Sequence, residues 1–108
     1  MITKFKMYES INDQEPKIGD WVICELHKMT DIPAYYKYNE IISNNIGQLV
    51  EINEKKELNC IIKYFNNIGK DNNWFYDDHT CVNMNEILYW SKDKKELEDI
   101  LAAKKYNL

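Results

Sequence analysis

The stretch Lys17-Ile18-Gly19-Asp20-Trp21-Val22-Ile23-Cys24-Glu25-Leu26 decides how the rest of the chain reads. Gly19 can enter the left-handed backbone region at no steric cost, and Asp20 can hydrogen-bond back to its own backbone, so the opening residues make a tight turn. Trp21–Cys24 is an apolar, β-branched run with the character of a strand, expected over Asp20–Leu26. The later segments then read as strands that return to pair with this one.

Working outward, Gln48–Asn53 alternates, with Leu49 and Glu51 on one side and Gln48, Val50 and Ile52 on the other. Glu54–Glu57 is a charged turn and Leu58–Phe65 the returning strand, so the spacing predicts a hairpin. Asn66–Asn73 is a polar loop. Trp74-Phe75-Tyr76 reads as a further strand, being too apolar for a loop, and Thr80–Met84 and Glu86–Trp90 as two more. The segment between the first strand and Gln48 carries a short helix, about 34–44. Asp31 followed by Pro33 suits a helix start, and Tyr35, Tyr38, Ile42 and Ile46 recur at three-to-four spacing. Gly47 either caps this helix or opens the next strand. Before the turn, Ile2–Tyr8 reads as an edge strand or extended arm and Glu9–Pro16 as a loop. After the last strand the period changes. Leu97, Ile100 and Leu101 make one stripe of a helix over about 93–105, with Ser91 or Asp93 as its cap and Asp93 with Glu96 at capping-box spacing.

A chain of 108 residues with 44% hydrophobic and 13% aromatic content builds one cored domain. Its parts are an arm over 1–16, the strands over 17–90 and the helix over 91–108. The formal net charge is −4, from 18 acids against 14 bases, and every base is lysine. The missing arginine argues against nucleic-acid recognition, where bidentate contacts dominate. An acidic surface suits a partner with a basic face. No apolar run reaches the ~20 residues that span a bilayer, and Met1–Lys6 lacks the apolar stretch of a secretory signal. A cytoplasmic location and three free thiols are therefore expected.

The chemistry-bearing residues form no convergent set. Cys24, His27, His79 and Cys81 are the candidates for a two-cysteine, two-histidine zinc set, but neither pair has the compact spacing of a strong zinc site. No metal or other cofactor is expected. Asp77-Asp78-His79 reads as a solvated turn, no nucleophile has supporting partners, and three unclustered glycines exclude a phosphate-cradling loop. A non-enzymatic protein follows. The aromatic content carries more information: eight tyrosines and three tryptophans are the residue types that anchor interfaces. Trp21, Trp74 and Trp90 are expected in the core. Tyr35, Tyr36 and Tyr38 share one helix and cannot all face inward, so at least one is exposed.

Three segments, Lys17–Val22, Ile46–Ile52 and Ile61–Phe65 with Trp74-Phe75-Tyr76, together resemble small SH3-like β-barrels of the KOW and Tudor kind. The resemblance covers about 17–90 and implies a barrel of about five strands, with the helix inserted in the first long loop and the C-terminal helix outside. It also implies a peptide groove between that loop and the later strands, for which Tyr35, Tyr36, Tyr38, Trp74 and Tyr76 are the candidates. The whole chain is similar to small uncharacterised proteins of tailed phages, which implies an accessory or host-interaction factor acting in the host cytoplasm by binding a protein, such as a host defence protein. A virion or assembly component and a KOW-like nucleic-acid-binding module are the alternatives.

Overall fold

The turn at Lys17–Asp20 forms as its residue types require. The structure, a computed structural model, describes residues 15–26, 33–55 and 59–106, so the strand or arm expected at Ile2–Tyr8 lies outside the described residues. Gly19 has φ +100°. The Asp20 amide donates to the Lys17 carbonyl at 2.9 Å, and the Asp20 carboxylate accepts the Lys17 amide at 2.8 Å. Asp20 is buried by closing the turn in this way. Gly19 N–H then donates to Leu49 O at 2.7 Å and Leu49 N–H to Asp20 O at 2.9 Å, which locks the turn to a later strand.

The elements that follow are β1 (Trp21–Cys24), α1 (Pro33–Ser43), β2 (Gly47–Ile52), β3 (Cys60–Lys63), β4 (His79–Val82), a 3-10 turn (Met84–Glu86), β5 (Ile87–Ser91) and α2 (Lys94–Tyr106). All ladders are antiparallel, and the sheet order is β4-β3-β2-β1-β5. The last strand thus returns to the free side of the first. No ladder joins β4 to β5 among the described residues, and the described sheet is open.

Burial follows the strand alternation. Val22 and Cys24 of β1 face a core shared with Leu49, Ile62 and Trp90, closed above by Tyr38 and Ile42 of α1. Ile23 points to the opposite face and is also buried, at 2% exposure. There α2 packs on β1 and β5, and its Leu97 is fully enclosed. A central strand covered on both faces explains why Val22-Ile23-Cys24 is apolar without a break.

Both helices are capped by neighbours that satisfy their orphan backbone groups. Pro33 takes the first helical position of α1, where its missing N–H costs nothing. At the other end Asn44 Nδ2 donates to Glu40 O and Asn45 Nδ2 to Ile41 O, both at 2.8 Å, and Lys104 Nζ reaches Ser43 O at 3.3 Å. Gly47 opens β2. In α2, Asp93 is the cap, its Oδ1 accepting the Lys95 amide at 3.0 Å. The capping-box pairing of Asp93 with Glu96 is replaced by a different one. Ser91 Oγ accepts the Asp93 amide at 2.9 Å and its hydroxyl donates to Glu96 Oε1.

Two expectations are corrected. Leu49 and Glu51 do not share a face, because a bulge between them shifts the register against β3. Leu49 and Ile52, three apart, both reach the core instead. Trp74-Phe75-Tyr76 is not a strand. It lies in consecutive turns, with a single bridge between Tyr76 and His79. Trp74 and Phe75 pack against Tyr35 and Tyr38 of α1 from outside the sheet, which a strand pattern does not anticipate.

Gly19 and Gly47 are needed for different reasons. A Cβ at Gly19 meets nothing within 4 Å, so Gly19→Val costs only backbone strain, about 1–2 kcal/mol. A Cβ at Gly47 runs into Ile62 Cγ2 and lies 2.9 Å from the Tyr64 ring, so Gly47→Ala overpacks the core at about 1–3 kcal/mol or more. Urea denaturation of the two variants measures both, and an unchanged midpoint for Gly19→Val would remove the left-handed turn from this account.

Candidate functional site

The helix α1 presents its residues at 100° intervals, so Tyr35, Tyr38 and Ile42 form its inward stripe and Tyr36 turns away. Tyr38 is 2% exposed and Tyr36 50% exposed, and Tyr35 is packed against the core edge. The three tyrosines divide between core and surface as helical geometry demands.

Trp74 is the residue around which this region is arranged. Its ring stacks on Tyr38 at 5.5 Å between centroids with an interplanar angle of 23°, and meets Tyr35 edge-on at 5.8 Å. Phe75 turns the opposite way, edge-on to both Tyr38 (5.8 Å) and Tyr64 (5.5 Å). Each such pair contributes about 0.5–1.5 kcal/mol beyond simple burial. Trp74 is nonetheless 39% exposed, and Tyr76 is 81% exposed two positions on. The structure therefore holds a rigidly backed tryptophan at the surface beside a freely exposed tyrosine.

A hydroxyl relay fixes the Trp74 backbone. Thr80 Oγ1 on β4 donates to Trp74 O at 2.8 Å. Its single hydrogen is thereby committed, so the 2.6 Å contact between Tyr38 Oη and Thr80 Oγ1 has Tyr38 as donor. The relay Tyr38–Thr80–Trp74 ties α1, β4 and the loop together. Burial pushes the Tyr38 hydroxyl above its ordinary ionisation range, and the hydrogen bond with Thr80 offsets only part of that rise.

The loop over 66–78 takes its path from residues that tolerate left-handed backbone. Asn66, Asn67, Asp71, Asp77 and Asp78 have φ between 50° and 66°, and Asn and Asp are the non-glycine residues best suited to it. Successive turns carry the chain: Lys70 N–H to Asn67 O (3.1 Å), Asn72 N–H to Gly69 O (3.0 Å) and Phe75 N–H to Asn72 O (3.1 Å). Asn72 Oδ1 also accepts the Trp74 amide at 3.0 Å. Gly69 leaves the space that the Phe75 ring fills. Thr80, Phe75, Gly69 and Asn72 are the residues sequence reasoning missed. The density of Asn and Asp in 66–78 was the available signal for them.

The metal-ligand candidates are scattered. Cys24 lies in the core, and Cys81 is exposed on the outer side of β4, next but one to His79. His27 is outside the described residues. Among the described residues no group of three or more His, Cys, Asp or Glu is placed to hold a metal ion. Burial pushes the Cys24 thiol up to about 12 and raises Cys60 as well. The fully buried Tyr64 hydroxyl has no ordinary hydrogen-bond partner. The Cys24 thiol is nonetheless near enough to add to the raising of its ionisation by burial. Among the described residues no helix is long and apolar enough to cross a membrane. Compared with protein-family models, with curated proteins and with solved structures, the chain matches none of them.

Two measurements check this arrangement. Tyr38→Phe should cost about 1 kcal/mol, and Thr80→Val about 1–3 kcal/mol because it strands two partners. The double variant should cost less than their sum, and strict additivity in a double-mutant cycle would dissolve the relay. The second concerns pH. The unfolded chain gives up the Cys24 proton from its ordinary value of 9.0, while the folded chain keeps it to about 12. Stability is thus complete below pH 9 and declines as pH rises toward 12. In denaturation series across that range, Cys24→Ala should show a shallower decline than the parent.

Proposed function

We propose that the chain is a non-enzymatic protein-binding module whose contact surface is centred on Trp74 and Tyr76. The single observation that carries this reading is the exposure of Trp74, locked from behind by Tyr35 and Tyr38. Rigid, half-exposed aromatic residues bury large area on binding at little conformational cost. Tyr35 flanks the surface and Tyr38 serves as its backing, while Tyr36 stands apart on the outward side of α1. Other features support an SH3-like small barrel as the setting. The strands follow one another in an antiparallel order with β5 returning to β1. Register shifts in the β1–β5 and β2–β3 ladders are irregularities of the kind found in closed sheets. An accessory or host-interaction factor acting in a host cytoplasm is the role we attach to such a module, on the resemblance to phage proteins.

The test is affinity capture from nuclease-treated host lysate with the parent, Tyr76→Ala and Tyr106→Ala. Tyr106, 88% exposed at the end of α2, is the control for a generic loss of surface aromatic area. A stoichiometric partner lost with Tyr76→Ala, kept with Tyr106→Ala, and accompanied by unchanged melting temperatures is the expected result. A partner held equally by all three would place the contact elsewhere.

A further inference from the structure

We infer that the stripe Glu98, Leu101, Ala102 and Lys105 of α2 is a contact surface for a second copy of this chain, laid antiparallel along it. The four residues stand at i, i+3, i+4 and i+7, which puts them on one face of the helix. Leu97 points inward and is fully buried, whereas Glu98, Ala102 and Lys105 are exposed and Leu101 is half-buried. Both charges of the stripe lack a partner inside the chain. An acid pairs along a helix with bases three or four positions away, which for Glu98 are Lys94 and Lys95 on the preceding turn. Lys94 turns instead to the Trp21 ring, with its Nζ 5.1 Å from the centroid, and Lys95 pairs with Asp99 at 3.8 Å. Lys105 has only Leu101 and Ala102 at the matching positions of its own preceding turn. Among the described residues neither Glu98 nor Lys105 takes part in an ion pair.

The order of these residues makes the stripe complementary to itself. About a two-fold axis between Leu101 and Ala102, Glu98 of each copy faces Lys105 of the other, and Leu101 of each faces Ala102 of the other. This reciprocal pattern is what an isologous dimer requires. A parallel arrangement would set like charge against like, so the charges select the antiparallel one. Ala102, the smallest side chain of the stripe, lets two helices approach closely. Beside the stripe lies an open cavity of about 560 Å³, lined by Leu101, Ala102, Lys105 and by Asn44 at the end of α1. It gives an apolar side chain of the second copy a place to enter. The Lys104 Nζ bond to Ser43 O at 3.3 Å ties that end of α1 to α2, so the wall of the cavity is held in place. A single helix pair buries less than the ~1,200 Å² of a stable interface, so the dimer is weak and concentration-dependent. Each copy carries a net charge of −4, and salt near 0.15 M screens the resulting long-range repulsion beyond about 8 Å.

The test is analytical ultracentrifugation of the full chain at about 0.15 M salt, from about 10 μM to about 1 mM protein. The variants are Glu98→Lys, Lys105→Glu, and an equimolar mixture of the two. Asp99→Lys makes the same change of net charge on a neighbouring face of α2 and is the control. The parent should pass from monomer toward dimer across this range. Each single variant should associate at least about tenfold more weakly, because both of its cross-helix pairs become repulsive. The mixture should recover association as a heterodimer, since one copy then holds only bases at the two positions and the other only acids. Asp99→Lys should associate as the parent does, and all variants should keep the parent's melting temperature when dilute. A parent that stays monomeric at the highest concentration overturns the inference, as do single variants that associate like the parent. A mixture that stays monomeric while both variants are folded rules out the antiparallel register, and an equal loss in Asp99→Lys assigns the effect to net charge alone.

Discussion

The hydroxyl relay from Tyr38 through Thr80 to the Trp74 carbonyl is the constraint on which the upper half of the molecule depends. It joins a helix inserted between two strands, an edge strand, and a loop with no regular structure. Without it, the hydrogen bonds between the loop and the sheet would be the two that pair Tyr76 with His79, the His79 ring contact to Asp77 O and the Tyr64 amide bond to Asp78 O, among the described residues. Hydroxyl groups at this depth are costly when unpaired, so the relay specifies one arrangement of its three elements and penalises the alternatives. The stacking of Trp74 on Tyr38 is a consequence, since the same two residues are held in place by backbone and hydroxyl contacts.

The lower half depends on the Lys17–Asp20 turn and on Gly47. The turn delivers β1 to the centre of the sheet with Leu49 already bonded to it, and Gly47 lets the Tyr64 ring lie directly on β2. Tyr64 in turn supports Phe75 edge-on, so aromatic packing joins the two halves. The packing therefore passes in an unbroken line from the first turn through β2 and Tyr64 to the loop that carries the exposed tryptophan.

Much of the sheet was legible from residue pattern. The turn glycine, the strand that follows it, both helices and the hairpin strands have local signals that agree with their final environments. Pro33, Asp93 and the Asn44-Asn45 pair mark helix ends by chemistry that acts within a few residues. What the pattern could not show was set by contacts distant in sequence. Trp74-Phe75-Tyr76 looks like a strand because its partners, Tyr35 and Tyr38, lie on a helix some forty positions earlier. The bulge in β2 hides behind a regular alternation, and only the pairing with β3 reveals it. Of the binding candidates, Tyr76 and Tyr36 prove exposed and Tyr38 proves buried. A helical projection sets Tyr38 on the stripe of Tyr35 and Ile42 and Tyr36 off it, in agreement with their burial.

The left-handed positions of the 66–78 loop are filled by asparagine and aspartate in place of glycine. These two residues have nearly the same shape and the same tolerance for positive φ, and they differ by a full charge. At each of the five positions one can stand for the other with the chain path retained. The electrostatic character of this loop is therefore free to vary in single steps while its backbone stays fixed, so its surface charge is separable from the maintenance of the fold.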